Sequence, residues 1–172
     1  MITVRTSNVI DHPWLGMEPL QIGTIPTRGP TPDEYLLVSK DGHPLLRIDS
    51  FRESEECFLR DEAVEWHHWL VIGTGERVHM INIPTMEHRV HHLASGFESL
   101  RLHPAYLLAI SCGDIAKIGP DGDVLWTARP DGTGMGLVVK TVADGVITGE
   151  AEWEMGEDWR PFEIELESGA AR

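Results

Sequence analysis

Cysteine is scarce in this chain of 172 residues. Cys57 and Cys112 are far apart and show neither a CxxC nor a zinc-type spacing. A disulfide or metal framework is therefore not expected. Nor is one needed, because a chain of this length buries roughly 70% of its unfolded surface on folding. Basic residues are also scarce: 14 Lys and Arg stand against 28 Asp and Glu, a formal charge of −14. Phosphate backbones and anionic lipid surfaces both demand a cationic surplus, so nucleic acid and membrane are not expected partners. No apolar run approaches the 18 residues that a spanning helix needs, and Met1–Ser7 lacks the basic-then-apolar pattern of a signal peptide. With two free thiols, this points to a reducing cytoplasm. Catalytic motifs are missing as well. There is no G-x-S-x-G elbow, no HExxH and no HxH. Gly132–Gly136 is glycine-rich but precedes no helical pattern, so it does not read as a phosphate cradle. Ser111-Cys112-Gly113 follows an apolar run, and a cysteine there reads as a packing residue more readily than as a nucleophile. No cofactor is expected.

Turns and alternation are abundant. Asp-Gly occurs at 41–42, 121–122, 131–132 and 144–145, and Asp-Gly between apolar runs marks hairpins, because a type I′ turn needs positive φ at both central positions. The expected pairs are Tyr35–Lys40 with Pro44–Ile48, Asp114–Ile118 with Asp123–Ala128, and Leu137–Val142 with Val146–Glu154. Trp69–Gly73, Arg77–Ile83 and Glu87–Leu93 read as three consecutive strands. Residues 1–34 carry five prolines among glycines and read as a short edge strand within Thr3–Ile10 followed by an irregular wrapping segment. The one helical candidate is Glu53–Val64, where irregular chain plus strand fits as well. The reading is a single domain over 1–172: all-β, mainly antiparallel, with little helix, in an open propeller-like or sandwich arrangement of β-meanders over 35–172.

Two resemblances bear on this. The segments beginning at Trp69, Tyr106 and Leu137 form a weak repeat of about 35–45 residues, near the length of a four-stranded propeller blade. Within it, Ile118-Gly-Pro-Asp-Gly-Asp-Val-Leu-Trp126 resembles the outer hairpin of pyrroloquinoline-quinone-type propeller repeats, without residues that imply the cofactor. Further on, Gly149-Glu-Ala-Glu-Trp153 followed by Trp159-Arg-Pro-Phe162 resembles the C-terminal signature of a group of small bacterial proteins of unknown function. Glu65-Trp66-His-His-Trp-Leu-Val-Ile-Gly-Thr-Gly75 is similar to that group too. The group often carries a Pro-Pro-Gly-Gly turn between the two tryptophans, where this chain has Met155-Gly-Glu-Asp158. The resemblance implies a shared fold and no particular activity.

The C-terminal segment carries the sharpest pattern. Glu150, Glu152 and Glu154 alternate with Ala151, Trp153 and Met155, and Glu163, Glu165 and Glu167 alternate with Phe162, Ile164 and Leu166. Period two on both sides of a turn predicts a hairpin with one buried face and one face of glutamates. Pairing Met155 with Phe162 keeps both faces pure, with a turn at 156–161 and Trp159 and Arg160 near its tip. It also sets glutamate opposite glutamate, which destabilises a sheet by several tenths of a kcal/mol per pair. Basic side chains such as Lys140 could neutralise the stripe, or a basic protein partner or a divalent cation could cover it. Trp66, Trp126 and Trp153 read as core, and Trp159 as an exposed anchor.

Seven of the nine histidines fall between His67 and His103. His79 is expected beside His91 in a hairpin, and His67, His79 and His91 are weak candidates for a metal site. Two functions follow. The first is a non-catalytic interaction module, at its sharpest an acidic immunity or inhibitor protein that binds a toxin or another basic partner through Glu150, Glu152, Glu154, Glu163, Glu165, Trp159 and Arg160. The alternative is a small-molecule or metal-binding enzyme using the histidine-rich strands 67–92.

Overall fold

The computed structural model describes residues 1–25, 31–51, 61–131, 136–154 and 158–172. Among them the protein is all-β, with a single turn of 3-10 helix at Trp14–Gly16. Its four sheets are mostly antiparallel and none closes into a barrel. The chain forms two compact units, Met1–Phe58 with Ala63–Glu65, and Leu59–Glu62 with Trp66–Arg172.

The first unit is built on a hairpin. Strands β3 (Glu34–Lys40) and β4 (His43–Phe51) meet at Asp41 and Gly42, whose φ values of 52° and 80° are those a type I′ turn demands. Strand β1 (Ile2–Ser7) pairs antiparallel with β3. Strand β2 (Leu20–Gly23) runs parallel to β4 and gives the order β1-β3-β4-β2. The proline-rich segment thus does contain a regular element, short enough to fit between Pro19 and the prolines that follow. Ile22, Leu37, Val38 and Ile48 form the core of this unit. Asp49, almost fully buried, is held by a two-pronged bond from Arg47 at 2.7 and 2.8 Å, the geometry that best compensates a buried carboxylate.

The remaining sheets follow the chain as meanders. The first has β5 (Glu62–Trp66), β6 (Trp69–Thr74), β7 (Arg77–Asn82) and β8 (His88–His92) in sequence order. The next has β9 (Phe97–His103), β10 (Tyr106–Ser111), β11 (Ile115–Ile118) and β12 (Val124–Ala128). The last has β13 (Leu137–Ala143), β14 (Val146–Glu154) and β15 (Asp158–Glu165). All the expected hairpins form. The helical candidate at 53–64 lies largely outside the described residues, and its end, from Glu62, is strand. The three segments of the sequence repeat begin at β6, β10 and β13, the second strand of the first two sheets but the first strand of the last.

In the second unit the meanders pack on one another without sharing backbone ladders. β6 contacts β9, and β10 contacts β13. At the first junction a Cβ on Gly73 would lie 2.2 Å from the Phe97 ring, so only glycine permits that approach. The second junction is an apolar core of Leu108, Ile110, Ile115, Leu137, Ile147 and Ile164. Backbone carbonyls at these seams accept from side chains. Trp66 donates to His103 O (2.9 Å), Trp69 to Pro120 O (3.0 Å), and Trp126 and Lys117 both to Leu166 O (3.1 and 2.9 Å). A typical hydrogen bond contributes about 0.5–1.5 kcal/mol. These indole and ammonium donors are therefore structural.

Candidate functional site

The C-terminal hairpin forms, but in a different register from the expected one. Phe162 faces Gly149, not Met155, and Glu154 faces Asp158, so β15 starts earlier than alternation suggested. Met155 and residues 156–157 of the expected turn lie outside the described residues. Trp159, Arg160 and Pro161 therefore sit within a strand rather than at a turn tip. β15 is an edge strand, where proline is tolerated because its missing N–H breaks no ladder. The physical reason for the register is packing. A Cβ on Gly149 would lie 2.5 Å from the Phe162 ring and 2.2 Å from Val138 O, so the aromatic ring fills the place of the absent side chain.

This register removes the repulsion that the other would have created. Glu163 faces Thr148, Glu165 faces Val146, Glu150 faces Pro161 and Glu152 faces Trp159. Glu150 is paired with Lys140 at 2.5 Å, the neutralising residue anticipated from sequence. Glu165 accepts from Ser168 (2.8 Å) and Arg172 (3.1 Å), and these bonds hold its carboxyl below the usual range. Glu152 is not a surface residue: it is buried, with its backbone N–H donated to Gly136 O. Glu163 remains exposed. Of Glu154 only the backbone pairing is described.

The tryptophans divide differently from expectation. Trp66 is buried and Trp126 half-buried, but Trp153 is 40% exposed, comparable to Trp159 at 43%. Trp153 lies two residues beyond Ala151 on the face that packs inward, where the hairpin has run past the core. Arg160 covers it, 4.2 Å from the ring centroid, while bonded to Asp158 at 2.7 and 2.9 Å. Arg160 thus stacks on Trp153 rather than on Trp159, its neighbour in sequence. The ring of Trp159 lies against Gly136.

The histidines do not converge. His67 sits in the β5–β6 turn at φ 54° with Nε2 2.8 Å from Pro104 O, and His91 places Nε2 2.9 Å from Gly122 O. His79 faces Val90, and Val78 faces His91, so His79 and His91 point to opposite faces of the sheet. His79 meets His88 instead, at the diagonal position. Its Nδ1 is 3.0 Å from His88 Nε2, and the rings are stacked. Burial pushes His79 down to about 3, helped by the nearby positive charges of His88, Arg77 and His92, and burial lowers His88 as well. Among the described residues no group of three or more His, Cys, Asp or Glu is placed to hold a metal ion. Ser111, buried, locks the β10–β11 turn. Its hydroxyl donates to an Asp114 carboxylate oxygen and accepts the Gly113 and Asp114 N–H groups. A serine bonded in this way holds a turn.

No family model and no curated protein matches this chain. A solved structure, the computationally designed Ika4 protein, is similar with a TM-score of 0.48 and 13% identity, over 69% of this chain and 73% of that one.

Proposed function

We propose that this is a non-catalytic interaction protein whose contact surface is the outer face and free end of the β13–β14–β15 sheet, and whose partner is a basic protein. The observation that carries the reading is the pair of large aromatic side chains, Trp153 and Trp159, left 40% and 43% exposed at one end of a sheet whose outer face carries Glu150, Glu163 and Glu165. Half-exposed tryptophans are the side chains that anchor protein interfaces, and carboxylates around them select a cationic surface. The net charge of −14 adds long-range steering toward such a partner. Arg160, already engaged by Asp158 and Trp153, holds the anchor in place. An immunity or inhibitor protein of the cytoplasm, covering the active site of a basic toxin, is the sharpest form of this reading. The resemblance to small bacterial proteins around Gly149–Trp153 and Trp159–Phe162 is compatible with it.

Affinity capture from the native host tests this reading. A stoichiometric basic protein is expected, released by salt and lost when Trp159→Ala and Glu163→Lys are combined. Capture that resists salt, or that the double variant leaves unchanged, would remove this surface from consideration.

A further inference from the structure

A second surface of the same unit has the opposite chemistry. Between β9–β10 and β13 lies a cleft of about 480 Å³, within the range of small-ligand sites. Among the described residues no carboxylate lines it, in a protein with twice as many acidic as basic residues. Arg101, His103, Tyr106, Lys140 and Thr141 do line it, with Leu108 and Val142 as its apolar part.

The arrangement follows from strand pairing. Arg101 faces Leu108 and His103 faces Tyr106, so these side chains share one face of the sheet. The rings of His103 and Tyr106 stack face to face at 4.4 Å and 17°, and the Lys117 ammonium lies over the Tyr106 ring, 5.4 Å from its centroid. His103 Nδ1 accepts the Ala105 N–H at 3.2 Å, which leaves the neutral ring's proton on Nε2 as a donor. The Tyr106 hydroxyl has no hydrogen-bond partner among the described residues. On the opposite side β13 bulges between Val139 and Thr141, and the extra residue is Lys140. Bulges re-aim side chains, and this one sets Lys140 at the cleft, where Glu150 already partly neutralises it. Arg101 is not neutralised. Its Nη2 donates to Val139 O at 2.7 Å, and it has no carboxylate partner among the described residues. A guanidinium carries five N–H donors in a planar fork, so one carbonyl leaves most of them available.

We infer that this cleft binds a small organic carboxylate with an apolar body, the carboxylate taken by Arg101 and the body lodged between the stacked Tyr106–His103 pair and the apolar Leu108 and Val142. The long-range field of a protein charged −14 repels anions. A carboxylate-free cleft with an uncompensated guanidinium is therefore a local exception built by the strands around it. A carboxylate suits the fork better than a rounder anion does, because both are planar and two parallel bonds form at once. The site is separate from the tryptophan surface and does not depend on its role.

The test uses the full chain and benzoate as probe. Titration followed by calorimetry and by the aromatic resonances is expected to give saturable binding that shifts the Tyr106 and His103 ring signals. Arg101→Gln keeps a donor for Val139 O but loses the charged fork, and should weaken benzoate by about tenfold or more. Tyr106→Leu should weaken benzoate more than acetate. Glu163→Lys should change neither, which separates this site from the partner surface. Absence of saturable binding, equal affinity in Arg101→Gln, or inorganic phosphate binding as tightly as benzoate would each overturn the inference.

Discussion

At the scale of single residues, His79 has the largest consequence for behaviour in solution. It is 2% exposed, and its Nε2 finds no hydrogen-bond partner among the described residues. An orphaned acceptor costs less than an orphaned N–H, so the ring's proton belongs on Nδ1, donated to His88. A second proton has nowhere to go in the fold, which is why His79 is pushed down to about 3. The unfolded chain takes that proton at about 6.5. Below that pH the unfolded state binds more protons than the native one. Stability is then lost as pH falls from about 6.5 toward 3. At pH 5 the loss from His79 is about 2 kcal/mol. Urea denaturation at pH 7 and pH 5 should show the wild type losing about that much more than His79→Leu. Equal losses would mean that the ring protonates in the folded state. The sequence placed His79 in a strand. It did not place it beside His88, because the contact depends on the diagonal offset between β7 and β8, which composition and alternation leave undefined.

The C-terminal hairpin shows the same limit at the scale of an element. Alternation of glutamate with apolar residues fixes parity: which residues point inward. Phe162, Ile164 and Leu166 do point toward the core, as the pattern required. Parity is unchanged by any even shift, however, and Met155 and Gly149 are six positions apart, so alternation cannot choose between them. The choice came from volume, since Phe162 needs a partner without a side chain. Gly149→Ala is expected to cost about 1–3 kcal/mol by chemical denaturation, because the new methyl meets backbone as well as a movable ring. A neutral substitution would show that the hairpin tolerates another register. Trp153 departs from its expected core position for a related reason. It has the right parity for the core but lies beyond the point where the neighbouring sheet ends. The exposure of Trp159 and the Lys140 partner for Glu150 were legible, since each follows from residue type and proximity alone. The cleft at Arg101 was not, because it joins two meanders whose packing no local pattern specifies.

For the whole molecule, charge is the dominant global quantity. Most ion pairs among the described residues, such as Arg5–Asp11 and Arg160–Asp158, are half-exposed and worth about 0–1 kcal/mol each. They cannot offset 14 uncompensated negative charges, so self-repulsion outweighs pairing. Raising ionic strength from about 10 mM to about 150 mM at pH 7 should therefore raise the melting temperature, as the screening length shrinks to about 8 Å. A lower melting temperature in salt would show that the pairs dominate. The same screening should weaken a basic partner at the tryptophan surface, so stability and binding are expected to move in opposite directions with salt.

Some of this was set by the sequence alone. Asp41-Gly42 and Asp144-Gly145 dictate tight turns through their positive φ, period-two alternation dictates strands with defined faces, and the acidic surplus dictates the sign of the field. These properties are local or additive, so they can be read without knowing what touches what. Tertiary structure decided the rest: Phe162 over Gly149, His79 against His88, Trp153 left half-exposed, and Arg101 facing a cleft without a carboxylate. Each of these depends on how one strand or sheet is placed against another, and volume and hydrogen-bond satisfaction at the seams settle that placement.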